Sequence, residues 1–135
     1  MSSFTEASAF RPIWEGEHKG KWLVVESFDW YLSSDLTGPY IRVEAGFVFD
    51  GASVPRPLTL VFPKVHPAYM QAAALHDWLL TNERSDFSRE EIDLIFKEAL
   101  EVLNNPEWRV WAMFNGVKAF GLIYERSQYF QSFDM

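Results

Sequence analysis

The sequence has no cysteine. That excludes disulfides and thiolate metal sites, and it is compatible with any redox compartment. Basic charge is also in short supply, with 12 Lys and Arg against 19 Asp and Glu and a formal net charge of −7 at pH 7. Nucleic acids and anionic membranes are bound through a basic footprint, and no Lys/Arg cluster supplies one here, so neither is an expected partner. No run comes near the roughly 18 consecutive apolar residues of a membrane-spanning helix. Residues Met1 to Phe10 lack a basic stretch followed by an apolar one, so no signal peptide is expected. Internal repeats, low-complexity tracts and linkers are missing too, which points to a single domain over residues 1–135.

What the chain has in quantity is aromatic side chains: 12 Phe, 6 Trp and 5 Tyr, or 17% of its residues. A domain of 135 residues buries roughly 65–70% of the surface its unfolded chain exposes, enough to fold without a metal or a cross-link. Large aromatics dominate cores and interfaces alike. A domain this small is not expected to hide all of them, so part of the surplus is expected to line a partner surface.

The pattern along the chain changes once, and it predicts an α+β fold. From about residue 10 to 50 the sequence reads as a small, mainly antiparallel sheet. Trp22-Leu23-Val24-Val25 and Phe28 to Leu32 are rich in aromatic and β-branched residues, and Tyr40-Ile41-Arg42-Val43-Glu44 alternates with period two. Ser33 to Pro39 is a turn cluster. Asp50 to Pro67 carries Pro55, Pro57, Pro63 and Pro67, each of which removes a backbone donor, and reads as a long structured loop. Three helices are expected after it, at about 67–80, 88–104 and 106–125. Tyr69, Ala72, Ala73, His76 and Leu80 form the apolar stripe of the first. Ser88-Arg89-Glu90-Glu91 is a capping box that starts the second. Trp111, Phe114, Val117, Gly121 and Tyr124 mark the expected buried stripe of the third. Its aromatic residues Trp108, Trp111, Phe114 and Phe120 suit sugar-ring stacking as well, but core packing is the expected use. Glu101, Glu107 and Glu125 read as solvated positions.

One polar constellation stands out: Asp50-Gly51-Ala52-Ser53 at the end of the last strand, and His76-Asp77 in the first helix. Asp50, Ser53, His76 and Asp77 are the candidate catalytic residues. Asp50 has the chemistry of a base or a metal ligand, and Ser53 that of a nucleophile or a hydrogen-bond donor. His76 suits proton transfer near neutral pH. Each has a structural use as well. Asp and Ser after a strand bond to nearby backbone, and a His on an apolar stripe is commonly a hydrogen-bonded core residue. Helix neighbours are about 100° apart, so His76 and Asp77 are not expected to point at one spot. Asp93, in the second helix, is placed to reach His76 across a helix pair. Asp50, His76 and Asp93 are the candidate ligands of a divalent metal; no other cofactor is implied. Ser53, His76 and an Asp have the residue types of a nucleophilic triad, without the glycine-flanked elbow of the α/β-hydrolases. The His-Asp pair is similar to that of the HD phosphohydrolases, but these use more His and Asp ligands on an all-helical fold, and only His18 and His66 remain here.

Phe49-Asp50-Gly51-Ala52-Ser53-Val54-Pro55-Arg56-Pro57 is followed by Ala73-Ala74-Leu75-His76-Asp77-Trp78-Leu79. Ser88-Arg89 with Asp93 and Phe96, and Val117 to Gly121, come after in order. This series, over about residues 40–121, resembles a phage and prophage family, the domain-of-unknown-function family 1353. Phe49 and Leu80 stand where that resemblance leads one to expect a small polar residue and a tyrosine. The resemblance implies a tailed-phage or prophage origin and brings no activity with it. The expected function is a virion structural component of the tail or baseplate, partnered by other phage structural proteins and open to oligomeric assembly. Its expected location is the virion, or the host cytoplasm during assembly. The alternative is a small metal-assisted hydrolase acting on host cell wall or a related substrate.

Overall fold

Alternation of apolar and polar residues sets the first half of the chain. The computed structural model describes residues 3–4, 9–32, 38–49, 69–83 and 86–119. Within them lie the strands β1 (Ser3–Phe4), β2 (Phe10–Pro12), β3 (Trp22–Val24), β4 (Phe28–Tyr31), β5 (Tyr40–Val43) and β6 (Val48–Phe49). Every pairing among them is antiparallel. The strands form two three-stranded sheets, in the orders β1-β4-β5 and β2-β3-β6, where one sheet was expected. The chain passes between the sheets after β1, after β3 and again after β5. The last passage turns at Gly46, whose φ of 93° is open to glycine and strained for other residues. Its amide donates to the Val24 carbonyl at 2.8 Å, and the Val24 amide donates to that of Phe47 at 2.9 Å, so the turn is held on the middle strand β3.

In β4 and β5 the pleat sends Phe28, Trp30, Ile41 and Val43 into the core. The opposite face pairs Asp29 with Arg42 and Tyr31 with Tyr40 across the strands. The Arg42 guanidinium donates to both Asp29 oxygens, at 2.7 and 3.0 Å. Phe49 is buried, with its ring edge-on to Phe10 at 5.5 Å. That accounts for an aromatic residue where a small polar one was expected.

Helices α1 (Met70–Asn82) and α2 (Arg89–Val102) follow. A third helical stretch, α3, covers 107–119 of the described residues. The α+β fold expected from the sequence is therefore observed, with helix ends shifted by a few residues. α1 is buried more completely than its predicted stripe. Met70, Gln71, Ala74 and Leu75 are inside along with Ala72, Ala73 and His76. A helix buried on more than one face is a central element, and α1 packs on α2 and on β5 and β6. α2 is amphipathic and begins on a complete capping box. Ser88 Oγ accepts from the Glu91 amide at 3.1 Å, and the Ser88 amide donates to Glu91 Oε1 at 3.0 Å. It ends in a Schellman turn. Asn104 takes φ 65°, its amide donates to the Glu101 carbonyl at 3.0 Å, and the Asn105 amide donates to that of Leu100 at 3.2 Å. Pro106 then opens α3. No helix among the described residues is long and apolar enough to cross a membrane.

The buried stripe of α3 is Val110, Met113 and Val117. Trp111, expected inside, is 69% exposed, and Trp108 is 56% exposed. Choosing Val110 and Met113 over Trp111 and Phe114 turns the helix by about one residue, or about 100°. The expected Pro-rich loop, the residues Phe120, Gly121, Tyr124 and Glu125, and the expected extension of the third helix to 125 lie outside the described residues.

Candidate functional site

The site grows from the start of α2. The capping box fixes Arg89 as the first residue of the helix and places Asp93 one turn later, on the same face. Asp93 lies on the buried side with Ile92 and Phe96, facing α1. His76 stands on α1 between Ala72 and Leu79, both fully buried. The imidazole Nε2 and Asp93 Oδ1 are 2.8 Å apart, and both side chains are buried. A carboxylate accepts hydrogen bonds, so the contact sets Nε2 as the protonated nitrogen. The pairing of His76 with Asp93 across two helices, expected from the sequence, is present.

Arg89 is the member the sequence reading missed. Its Nε donates to Asp93 Oδ1 at 3.0 Å and Oδ2 at 3.3 Å, and its Nη2 donates to the Val117 carbonyl at 3.1 Å. One carboxylate thus accepts from two elements, α1 and its own helix, while the guanidinium continues the chain of bonds to α3. The Phe96 ring closes one side of the imidazole, with centroids 4.9 Å apart. The signal for Arg89 was in the sequence as an Arg–Asp pair at i, i+4, a spacing that pairs side chains on a helix face.

Three helices meet at this chain of hydrogen bonds, and its geometry suits a brace. Bonds to charged groups are shorter and stronger than neutral ones, and a satisfied buried network favours a single packing. The same contact has a catalytic counterpart, because a carboxylate that orients an imidazole is a common support for a metal-ligating or proton-transferring histidine. The bonds of this chain join His76, Asp93, Arg89 and the Val117 carbonyl. Asp77 follows His76 on the flank of α1 and is half-buried. Among the described residues no three His, Asp or Glu side chains are grouped to hold a metal ion. Asp50 and Ser53 lie outside the described residues, as does His66. His18 is exposed on the β2–β3 connection.

Away from this cluster, α2 and α3 enclose a groove of about 730 Å³ that contains Trp111 and Phe114 on one side and Lys97 and Glu101 on the other. Lys97 Nζ and Lys118 Nζ both lie over the Phe114 ring, 5.6 and 5.9 Å from its centre.

Neither the curated proteins nor the solved structures contain a match to the chain. One family does match, over residues 22–117, from β3 to the buried end of the α3 stripe. The matched segment begins well ahead of residue 40, where the recognisable motifs start, and it contains every member of the His76–Asp93–Arg89 chain together with the Val117 carbonyl. With most of its length covered, the chain belongs to the family described as protein of unknown function, DUF1353.

Proposed function

We propose that the chain is a virion structural component of a tailed phage, placed in the tail or baseplate region and docked on other subunits through exposed aromatic side chains. The observation that carries this reading is where the aromatic surplus lies. The core is filled by Phe28, Trp30, Phe49, Tyr69 and Phe96, yet Trp14 is 75%, Trp111 69%, Trp108 56% and Tyr40 50% exposed. Trp and Tyr are the residues that anchor protein interfaces, since each offers a large rigid surface at small entropic cost. Trp14 sits on the β2–β3 connection, where the Ile13 amide donates to the Lys21 carbonyl and the Gly20 amide donates to the Ile13 carbonyl, both at 2.9 Å. The motif resemblance to phage and prophage proteins supports the same reading. In it, the His76–Asp93–Arg89 chain locks three helices into a rigid body for assembly. Mass spectrometry of purified particles of a phage that encodes the chain tests the reading. Detection at structural copy number is expected, and absence from the particle refutes it.

A second reading, a small metal-assisted hydrolase acting on host cell wall or a related substrate, rests on one observation. Asp93 holds His76 Nε2, as a carboxylate does behind a ligating imidazole. Nδ1 is then the nitrogen left for a metal, with Asp50 as the further ligand and bound water as the nucleophile.

A further inference from the structure

We propose that the groove between α2 and α3 is a saccharide-binding site, with Trp111 as the stacking platform. The groove measures about 730 Å³. That falls within the roughly 300–1,000 Å³ of small-ligand sites. Its lining alternates an indole with hydrogen-bonding groups: Lys97, Glu101, Glu107 and Asn115 surround Trp111 and Phe114. The apolar C–H face of a pyranose fits a flat aromatic ring, and its ring of hydroxyls needs carboxylates, amides and ammonium groups at the border. Trp111 is 69% exposed, so its ring is available. Its backbone is held in place, because Asn115 Nδ2 donates to the Trp111 carbonyl at 2.8 Å.

The chemistry favours a sugar over a cationic ligand. A cage for an ammonium group needs several open aromatic faces. Phe114 offers none of that capacity, with two lysine ammonium groups already over its ring at 5.6 and 5.9 Å. One open indole bordered by polar groups remains, which suits a neutral polyol. Trp108, the other exposed indole of α3, lies outside the groove lining and is covered by the Arg109 guanidinium, 5.4 Å from its ring centre. Trp111 is also one of the exposed aromatic residues of the virion reading, so the test separates the two uses of its ring.

The test is titration of the full chain with chitotetraose, cellotetraose and maltotetraose, followed by ¹H–¹⁵N spectra in which the indole Nε1–H signals are assigned. Saturable binding of at least one of the three is expected, with the Trp111 indole shifting most. Trp111→Ala and Glu101→Ala should each weaken that binding at least tenfold while their circular dichroism matches the parent, and Trp108→Ala should bind normally. No binding of any of the three at 20 mM (roughly the weakest affinity a single stacked ring supports) overturns the proposal. So does binding that survives Trp111→Ala. If particle incorporation is lost in Trp111→Ala with no saccharide bound, the groove belongs to a protein partner, and the proposal fails while the virion reading stands.

Discussion

Replacing Asp93 by alanine should be among the most costly single changes in the polar part of this molecule. The carboxylate accepts from His76 Nε2 at 2.8 Å and from Arg89 Nε at 3.0 Å. His76 is 3% exposed in its side chain and Arg89 17%. Its loss orphans the imidazole N–H in a dry interior, at about 1–3 kcal/mol. Arg89 keeps the Val117 carbonyl and some water, so its share falls below the roughly 3–5 kcal/mol of a fully buried broken pair. Together these give about 3 kcal/mol, or roughly 10 °C in Tm for a domain of this size. Urea unfolding followed by tryptophan fluorescence measures the change, with an unaltered slope if the unfolded state is the same. A double-mutant cycle with His76→Ala isolates the pair, and a coupling of about 1–2 kcal/mol is expected. A cost for Asp93→Ala under about 1 kcal/mol, or strict additivity with His76→Ala, would refute the reasoning.

Four further outcomes follow from the same geometry. Ser88→Ala should cost about 1 kcal/mol by removing the cap of α2, read as a lower urea midpoint. Bonding to the Ser88 amide, and next to its hydroxyl, holds the Glu91 carboxyl below its ordinary value of 4.5. Its contribution is therefore complete above that value and fades as pH falls through the lowered one. Stability measured from pH 6 down to pH 3 should fall less steeply in Glu91→Gln than in the parent. Burial of Tyr69 pushes its phenol above the ordinary 10.0, against a smaller opposing pull from the Arg109 charge. The unfolded chain then loses that proton before the folded one does, so stability should decline as pH rises beyond about 10. Tyr69→Phe should flatten the decline in thermal melts taken between pH 9 and 11. Phe96, 1% exposed and packed on the His76 ring, should cost about 3–5 kcal/mol on change to alanine. A value below about 1 kcal/mol would mean that the core around α2 is not the one described.

The parts of this fold that were legible in the sequence are those written in local chemistry. Ser88 and Glu91 announced the start of α2, because a capping box needs only those two residues at that spacing. His76 and Asp93 were legible as a pair because each is a polar residue on the buried side of its own helix, where it needs a partner. The aromatic and β-branched run from Phe28 gave β4, and the period-two run from Tyr40 gave β5. What they did not give was the division into two sheets, because alternation names a strand and leaves its partners to long-range packing. The face of α3 was misjudged for a related reason. Val110, Trp111, Met113 and Phe114 offer two apolar stripes a residue apart, and aromatic volume alone favoured the wrong one. The stripe with Val110, Met113 and Val117 goes inside, where the Val117 carbonyl meets Arg89. Arg89 was read only as part of the capping box and of the motif series, with no partner assigned to it. Its second use, four residues from Asp93, becomes visible only once Asp93 is known to be buried.

The central claim is that the His76–Asp93–Arg89 chain is a structural brace, and linkage to metal tests it most directly. A ligand that binds the folded state alone raises stability by RT ln(1 + [L]/Kd), about 2.7 kcal/mol at a hundredfold excess over Kd. Urea unfolding of the parent and of Asp93→Ala should be run in EDTA and again in excess Zn²⁺ or Mn²⁺. The brace predicts one midpoint for the parent in all three conditions and a lower midpoint for Asp93→Ala, equally unmoved by metal. A parent midpoint that rises with metal, and no longer does so in Asp93→Ala, would contradict it and make His76 a ligand.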